Sequence, residues 1–370
     1  MHWQYTEQEL ECFPKVPENV AQPWDAADEY LLKATDNHRA SLIFNDRYGA
    51  LALNFPNARL WLESACAQIA TNRNLALNGD SEPRHWLSSS ADESPWPEQI
   101  LIRAPKDFEQ LQYWLWRCQQ SCSPSTVIHI AGMAKYIPVK WLKWLEAHCG
   151  EYQQHPIQRK ARLLTLTGLQ IPEPTTSSWM VGYSANGLDF QSLPGVFGRQ
   201  QLDSGSRFLL ETLANKQIPV TGRVCDLGCG NGLLGLSLKA QNPDIDLVMT
   251  DDSLAATLSA RDNANTNQLD AEVVHGDTLE AVSGQLDTII CNPPFHDGHR
   301  QMTNLAENMF SQSAKRLRPK GRLIVVANRH LPYLPKLKQH FRQVRQSGQN
   351  DKFLVYTCVL PRGSKEESPS

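Results

Sequence analysis

Val224-Cys225-Asp226-Leu227-Gly228-Cys229-Gly230-Asn231-Gly232 decides the fold: a short apolar strand, a turn with three alternate glycines, then an apolar helix start from Leu233 to Ala240. Glycine lets the backbone turn tightly and approach a ligand where a Cβ would collide. The same alternation continues along the chain. Asp246 to Thr250 reads as a strand ending at Asp251-Asp252, and Ser253 to about Asn265 as a helix. Val273 to Asp277, Asp287 to Cys291 and Arg322 to Ala327 read as further strands. This pattern predicts an α/β fold with a doubly wound, mostly parallel, Rossmann-like sheet, whose ligands bind at the carboxyl ends of the strands.

The turn is not that of a dinucleotide site, because Leu233 stands where the third glycine of G-x-G-x-x-G belongs. Asp226, just before the turn, would oppose a pyrophosphate but suits the cationic amino-acid end of S-adenosyl-L-methionine. Asp251, about 20 residues further on, is placed to accept from ribose hydroxyls. Asp277, at the third strand's end, could accept from an adenine amine. Asp251, Asp252 and Asp277 could each instead cap the helix that follows.

Directly after the strand Leu286 to Cys291 comes Asn292-Pro293-Pro294-Phe295. An exocyclic NH2 on a base or amide is a poor nucleophile while its lone pair is delocalised. Two acceptors that draw both hydrogens out of plane relieve this. The Asn292 side-chain oxygen and the Pro293 carbonyl can serve, the prolines stiffen the loop, and Phe295 offers a stacking face. These four residues are the catalytic candidates, and they imply a planar nitrogen substrate. His296 and His299 have no cysteine or carboxylate set at zinc-like spacing, so no metal is expected.

The first half repeats the plan. Asn74 and Asn78 follow Glu63 at 11 and 15 residues, as Asn263 and Asn267 follow Asp252, and Arg103 follows Glu63 at 40 residues, as Asn292 follows Asp252. An internal duplication accounts for this. In the copy, Asn45-Asp46-Arg47-Tyr48-Gly49-Ala50 replaces the glycine turn and Arg103-Ala104-Pro105 replaces Asn-Pro-Pro. Residues 1–170 therefore read as a degenerate domain kept for packing or substrate recognition, and 175–362 as the catalytic domain. The Pro/Ser/Thr-rich segment from Ile171 to Ser178 joins them, and 363–370 is expected to be disordered. Asn186-Gly187 favours a hairpin between Trp179–Tyr183 and Leu188–Leu193, serving as a lid or as plain packing.

A length of 370 residues predicts two domains. The net charge of −3 leaves any nucleic-acid contact to local patches. Two basic clusters stand out, Lys315 to Arg322 and Lys336, Lys338, Arg342 and Arg345, with Lys336 and Lys338 taken as substrate contacts. Nine cysteines, an odd number without a regular framework, suggest reduced thiols and a cytoplasmic protein. No apolar run is long enough to span a bilayer, so no membrane partner is expected. The expected state is a monomer.

Taken together, Gly195-Val196-Phe197, Leu202-Asp203-Ser204-Gly205, Asp226 to Gly232, Asn292 to His296 and Val326 to Leu331 resemble the bacterial ribosomal RNA guanine-N2 methyltransferases. In that family two methyltransferase-like domains stand in tandem and only the C-terminal one binds S-adenosyl-L-methionine. Pro23 to Leu32, Asn45 to Leu51 and Val326 to Leu331 are more similar to its large-subunit branch. The resemblance implies methylation of one guanine N2 in 23S rRNA. It assigns Asn292, Pro293 and Phe295 to the target base, with His296 beside them. Asp226, Gly228, Gly230, Asp251 and Asp277 go to the cofactor, with Asn231, Asp252 and Asn292 as further candidates. Rival readings are a methyltransferase acting on a glutamine amide of a protein, an adenine-N6 DNA enzyme, and a non-catalytic RNA-binding assembly factor.

Overall fold

The computed structural model describes residues 1–16, 21–82, 84–87, 95–174, 178–293 and 299–362, with only the backbone of 299–304. Contacts divide the chain after Trp179. Trp179 lies by sequence in the predicted hairpin, but its ring sits 5.8 Å from Tyr113 and 6.1 Å from Trp116, and the first hairpin strand begins only at Val181. Aromatic contacts, not the turn signal, go with the placing of Trp179 in the first unit.

The first unit runs β1 (His2–Trp3), β2 (Gln8–Glu9), α1 (Ala26–Ala34), β3 (Ser41–Phe44), β4 (Arg59–Trp61), α2 (Ala65–Leu77), β5 (His85–Trp86), β6 (Gln99–Arg103), α3 (Phe108–Ser121), β7 (Val127–Met133), α4 (Val139–Ala147), β8 (Cys149–Gln154) and β9 (Ala161–Leu169). The second runs β10 (Val181–Ala185), β11 (Leu188–Ser192), α5 (Ser204–Asn215), β12 (Arg223–Leu227), α6 (Leu233–Gln241), β13 (Asp246–Asp251), α7 (Leu254–Thr266), β14 (Glu272–His275), β15 (Leu286–Cys291), α8 (His299–Arg316), β16 (Leu317–Asn328), α9 (Tyr333–His340), β17 (Phe341–Gln349) and β18 (Phe353–Pro361).

The two sheets have the same order, β5-β4-β3-β6-β7-β9-β8 and β14-β13-β12-β15-β16-β18-β17. Each is parallel through its first five strands and closes with antiparallel pairs. Val224, Cys225 and Leu227 of β12 are all buried, which is why a central parallel strand reads as a continuous apolar run.

Register makes the duplication atomic. Phe44 pairs with Trp61 and Leu227 with Thr250, so Asn45 occupies the slot of Gly228, Arg47 that of Gly230 and Gly49 that of Gly232. Asn45 and Gly228 have φ of 63° and 75°, Gly49 and Gly232 of 82° and 85°. Glycine is required at position 49, where a Cβ would lie 2.8 Å from the Thr71 Cα. Ser64 and Ser253 cap α2 and α7 identically, each accepting from the third residue's N–H at 3.2 Å.

The paired asparagines explain why their spacing recurs. Asn263 Nδ2 donates to the carbonyls of Gln191 and Asn231, and its Oδ1 accepts from Gln191 N–H. Asn74 does the same with Glu11 and Tyr48. Asn267 and Asn78 bracket Asp189 and Glu9 in the same manner. Each unit's hairpin is thus sewn to a helix by two carboxamides. Asn263→Ala would strand three hydrogen-bonding groups, at a net worth of about 1 kcal/mol each. Urea unfolding should show a loss of roughly 2–4 kcal/mol; an unchanged midpoint would mean that apolar packing alone holds the hairpin.

Candidate functional site

The site is built where β12, β13 and β15 end side by side. Leu227 pairs with both Thr250 and Cys291, so Gly228, Asp251 and Asn292 leave the sheet together. The N–H groups of Gly228 and Cys229 donate to the Thr250 carbonyl, at 2.9 and 3.0 Å, and bend the glycine turn over β13. Gly230 N–H donates to Asp251 Oδ2 at 2.9 Å, while Ser253 N–H donates to Asp251 Oδ1 at 2.8 Å. Asp251 therefore ties the turn to the start of α7, and each oxygen keeps capacity for a second donor. Asp252 is exposed, and its carbonyl accepts from His275 Nε2 at 2.8 Å. The acidic pair thus differs: Asp251 is hydrogen-bonded to the glycine turn, and Asp252 is exposed. Asp277 is buried just beyond β14, where Gly276 N–H reaches the Asp251 carbonyl at 3.0 Å.

Asp226 is fully buried. Its Oδ2 accepts from Gly235 N–H at 2.8 Å, and its Oδ1 has no partner among the described residues. Burial, reinforced by the charge of Asp251, pushes its carboxyl up to about 7 against the pull of the Gly235 N–H. Burial likewise raises Asp251 to about 6, against the N–H groups of Ser253 and Gly230. A buried acceptor without a donor is costly unless a ligand supplies one. At Gly230, φ is +57° and, among the described residues, a Cβ would meet nothing nearer than the Phe197 carbonyl, 4.0 Å away. Together these features fit a cationic amine held against a close-approach turn, as S-adenosyl-L-methionine requires.

A carboxyl that titrates higher folded than unfolded retains its proton in the native state. Its contribution to stability is therefore greatest in acid and declines as pH rises from about 4 through about 7. The thermal midpoint of the wild type should fall across that window, and Asp226→Asn should remove part of the fall; parallel curves would show that Asp226 is ionised throughout.

Asn231 was expected among the cofactor contacts, but its side chain is spent inside the protein. Its Nδ2 donates to Ser192 Oγ and Tyr183 Oη, at 3.1 and 3.3 Å, and its Oδ1 accepts from Leu233 N–H at 3.3 Å. It anchors the hairpin to the glycine turn. Cys225 and Cys229 are buried free thiols whose titration burial drives well upward, so they pack and do not react.

At the end of β15, Asn292 Nδ2 donates to Asp203 Oδ2 at 2.8 Å and to Ser206 Oγ at 2.9 Å. Asn292 Oδ1 is buried and has no hydrogen-bond partner among the described residues. Asp203 is the N-cap of α5, accepting from Ser206 N–H at 2.8 Å. Pro293 is buried; Pro294, Phe295 and His296 lie outside the described residues. Sequence reasoning quoted Asp203 without giving it a task. The available signal was a capping residue ahead of an apolar helix, which says nothing about a partner 89 residues away.

Lys336 does not stand ready for substrate. Its Nζ pairs with Glu307 Oε2 at 2.5 Å, and the side chain is largely buried between α8 and α9. An α9 lysine one turn from the core is drawn to a carboxylate on the neighbouring helix, which the local charge pattern could not show. Lys338 is exposed. In the other cluster, Arg318 reaches Asp287 at 2.9 Å and Arg316 donates to the Leu279 carbonyl.

In the first unit, the slots of this site are filled differently. Asp46 accepts from the N–H groups of Gly49, Leu51 and Ala52, closing the turn on itself. Arg103, in the slot of Asn292, pairs with Asp25 at 2.8 Å and Asp28 at 2.9 Å.

Comparisons with known proteins agree with this architecture. Residues 187–357 match the family model described as Methyltransferase small domain, and residues 1–170 the RLMG N-terminal domain. A curated relative from Yersinia pestis (strain Pestoides F), Ribosomal RNA large subunit methyltransferase G, is 34% identical over 97% of this chain and 94% of its own length. The protein of the same description from Yersinia pseudotuberculosis serotype O:1b matches equally. Among solved structures, a T. thermophilus 16S rRNA N2 methyltransferase in complex with AdoMet and guanosine superposes with a TM-score of 0.76. It is 25% identical, covering 90% of this chain and 92% of that one. No described helix is long and apolar enough to cross a membrane. With both domain models matched in tandem and a curated relative aligned along nearly the whole length, the chain belongs to the ribosomal RNA large subunit methyltransferase G family, two Rossmann-like methyltransferase folds in one polypeptide.

Proposed function

We propose that this protein transfers a methyl group from S-adenosyl-L-methionine to the exocyclic N2 of one guanine in 23S rRNA. One observation carries the reading: a buried carboxamide oxygen without a hydrogen-bond partner among the described residues, Asn292 Oδ1, leaves the sheet beside the glycine turn. Similarity to the Yersinia large-subunit rRNA methyltransferases and to the T. thermophilus 16S rRNA N2 methyltransferase supports the RNA class and the N2 position.

When bound, the cofactor supplies an electrophilic methyl group. Asp226 Oδ1 would take its amino group, Asp251 its ribose and Asp277 its adenine amine, with Gly228 and Gly230 giving room for close approach. A paired guanine cannot present N2, so the base is unstacked into the site at a cost of roughly a few kcal/mol. Asn292 Oδ1 and the Pro293 carbonyl then hold the amine and draw its lone pair out of conjugation; Phe295 provides the stacking face. Positioning and exclusion of water do most of the work, and no strong base is required, since the amine proton is lost through the same oxygens once the methyl is transferred. The first unit, with Asp46 and Arg103 closing the corresponding slots, takes no cofactor and serves packing or RNA recognition. Lys338, exposed on α9, is the remaining candidate for a backbone contact.

Tritiated methyl from the cofactor should enter large-subunit RNA transcribed in vitro, and digestion should release N2-methylguanosine. Label in protein would favour the glutamine-amide reading, and failure to bind S-adenosyl-L-methionine by calorimetry would make the chain a non-catalytic assembly factor.

A further inference from the structure

We propose that Asp203, Gly205 and Ser206, at the first turn of α5, are positioning residues that lock the Asn292 carboxamide with its oxygen toward the amine to be methylated. This rests on the function proposed above.

A carboxamide has an acceptor end and a donor end of nearly equal size, and nothing in its shape decides which faces outward. If the NH2 end faced the substrate, two donors would oppose each other and the amine would be repelled. The hydrogen-bond network decides the matter. An ionised aspartate only accepts, so Asp203 Oδ2, 2.8 Å from the Asn292 Nδ2, holds the nitrogen inward. Ser206 Oγ accepts the second hydrogen at 2.9 Å. Turning the amide over would set its oxygen against the Asp203 carboxylate and strand both hydrogens. Asp203 is itself immobilised, because the same oxygen takes Ser206 N–H at 2.8 Å as the helix cap.

Gly205 completes the arrangement on the other side. A Cβ there would lie 3.3 Å from Asn292 Oδ1 and 3.1 Å from Asp203 Oδ2. Its absence leaves room beside that buried oxygen. Three residues of one helical turn thus fasten the nitrogen and leave space beside the oxygen, so the amide's orientation is fixed before substrate arrives.

The first unit has the same turn with the opposite polarity. Asp25 caps α1, accepting from Ala27 N–H at 2.7 Å, and Asp28 stands where Ser206 stands in the second unit. Between them they hold Arg103, which can only donate. The clamp survives in both copies, but only the second holds a group that leaves an acceptor free.

The test compares single-turnover methylation of large-subunit RNA, S-adenosyl-L-methionine affinity and thermal midpoint in four variants. Asp203→Ser keeps a helix cap of the kind that Ser64 and Ser253 provide, but is too short to hold Asn292. Its rate should fall roughly 10–100-fold, with cofactor affinity and midpoint nearly unchanged. Asp203→Asn keeps an acceptor in place and should recover most of that loss. Gly205→Ala, harmless to a helix, should slow the reaction by crowding the oxygen. Asn292→Ala is the reference. If Asp203→Ser reacts at the wild-type rate while Asn292→Ala is inactive, the positioning role is wrong and the proposed function stands. If the loss in Asp203→Ser comes with a matching fall in midpoint or cofactor affinity, the role is merely structural. If Asn292→Ala itself stays active, the reading of Asn292 fails and this inference with it.

Discussion

Asn292→Ala should reduce methyl transfer by roughly 10²–10³-fold while leaving S-adenosyl-L-methionine affinity almost unaltered, the range seen when one preorganised polar group is removed from a reacting centre. The asymmetry follows from geometry. Asn292 is fastened through its nitrogen to Asp203 and Ser206, and its oxygen is a buried acceptor without a partner among the described residues. Removing it deletes an interaction made with the amine and leaves Asp226, Asp251 and the glycine turn in place. The loss should appear in the rate at saturating substrate, because an acceptor that gathers the amine hydrogens gains most as the lone pair is released. Single-turnover kinetics with calorimetric cofactor titration checks this. A normal rate would remove Asn292 from the chemistry.

The second large effect concerns the cofactor. Gly230→Arg imports into the second unit the residue that the first unit carries in that slot, Arg47, an exposed side chain lying over the Tyr48 ring at 5.0 Å. A side chain at Gly230 projects where no described residue lies within 4 Å of its Cβ except the Phe197 carbonyl. Affinity for S-adenosyl-L-methionine should fall at least about 100-fold, equivalent to roughly 2.7 kcal/mol. The fold should survive, since a non-glycine residue at φ +57° costs only about 1–2 kcal/mol. Gly230→Ala, with its Cβ 4.0 Å from the nearest atom, should bind far better than the arginine variant. Wild-type affinity in Gly230→Arg would place the cofactor elsewhere.

Much of this was legible along the chain because it is local. The β12–turn–α6 unit shows itself through glycines whose φ values of 57–85° other residues rarely adopt. The strands show themselves as short apolar runs, and the duplication appeared in the spacing of Asn74 and Asn78 against Asn263 and Asn267 before their shared task was visible. That task, sewing a hairpin to a helix, required the fold: Asn263 meets Gln191 across 72 residues. The same distance in sequence hid other facts. Nothing near Lys336 announces that Glu307, 29 residues earlier, will hold its charge, and Trp179 looks like the start of a strand until it meets Tyr113 and Trp116.

The amino-acid sequence by itself determined the two α/β units and the loss of the glycine turn from the first, and it named the candidates for a cofactor and a planar amine. Backbone conformation and hydrophobic period are properties of a few adjacent residues and can be read without coordinates. Tertiary structure alone decided which groups remain available to a ligand. Asp251 is bonded to the glycine turn while Asp252 is exposed, the Asn231 carboxamide is bonded within the protein, and Asn292 fastens its nitrogen to Asp203. Each of those outcomes depends on which donor meets which acceptor across the folded chain, and a hydrogen bond over dozens of residues leaves no mark on its neighbours in sequence.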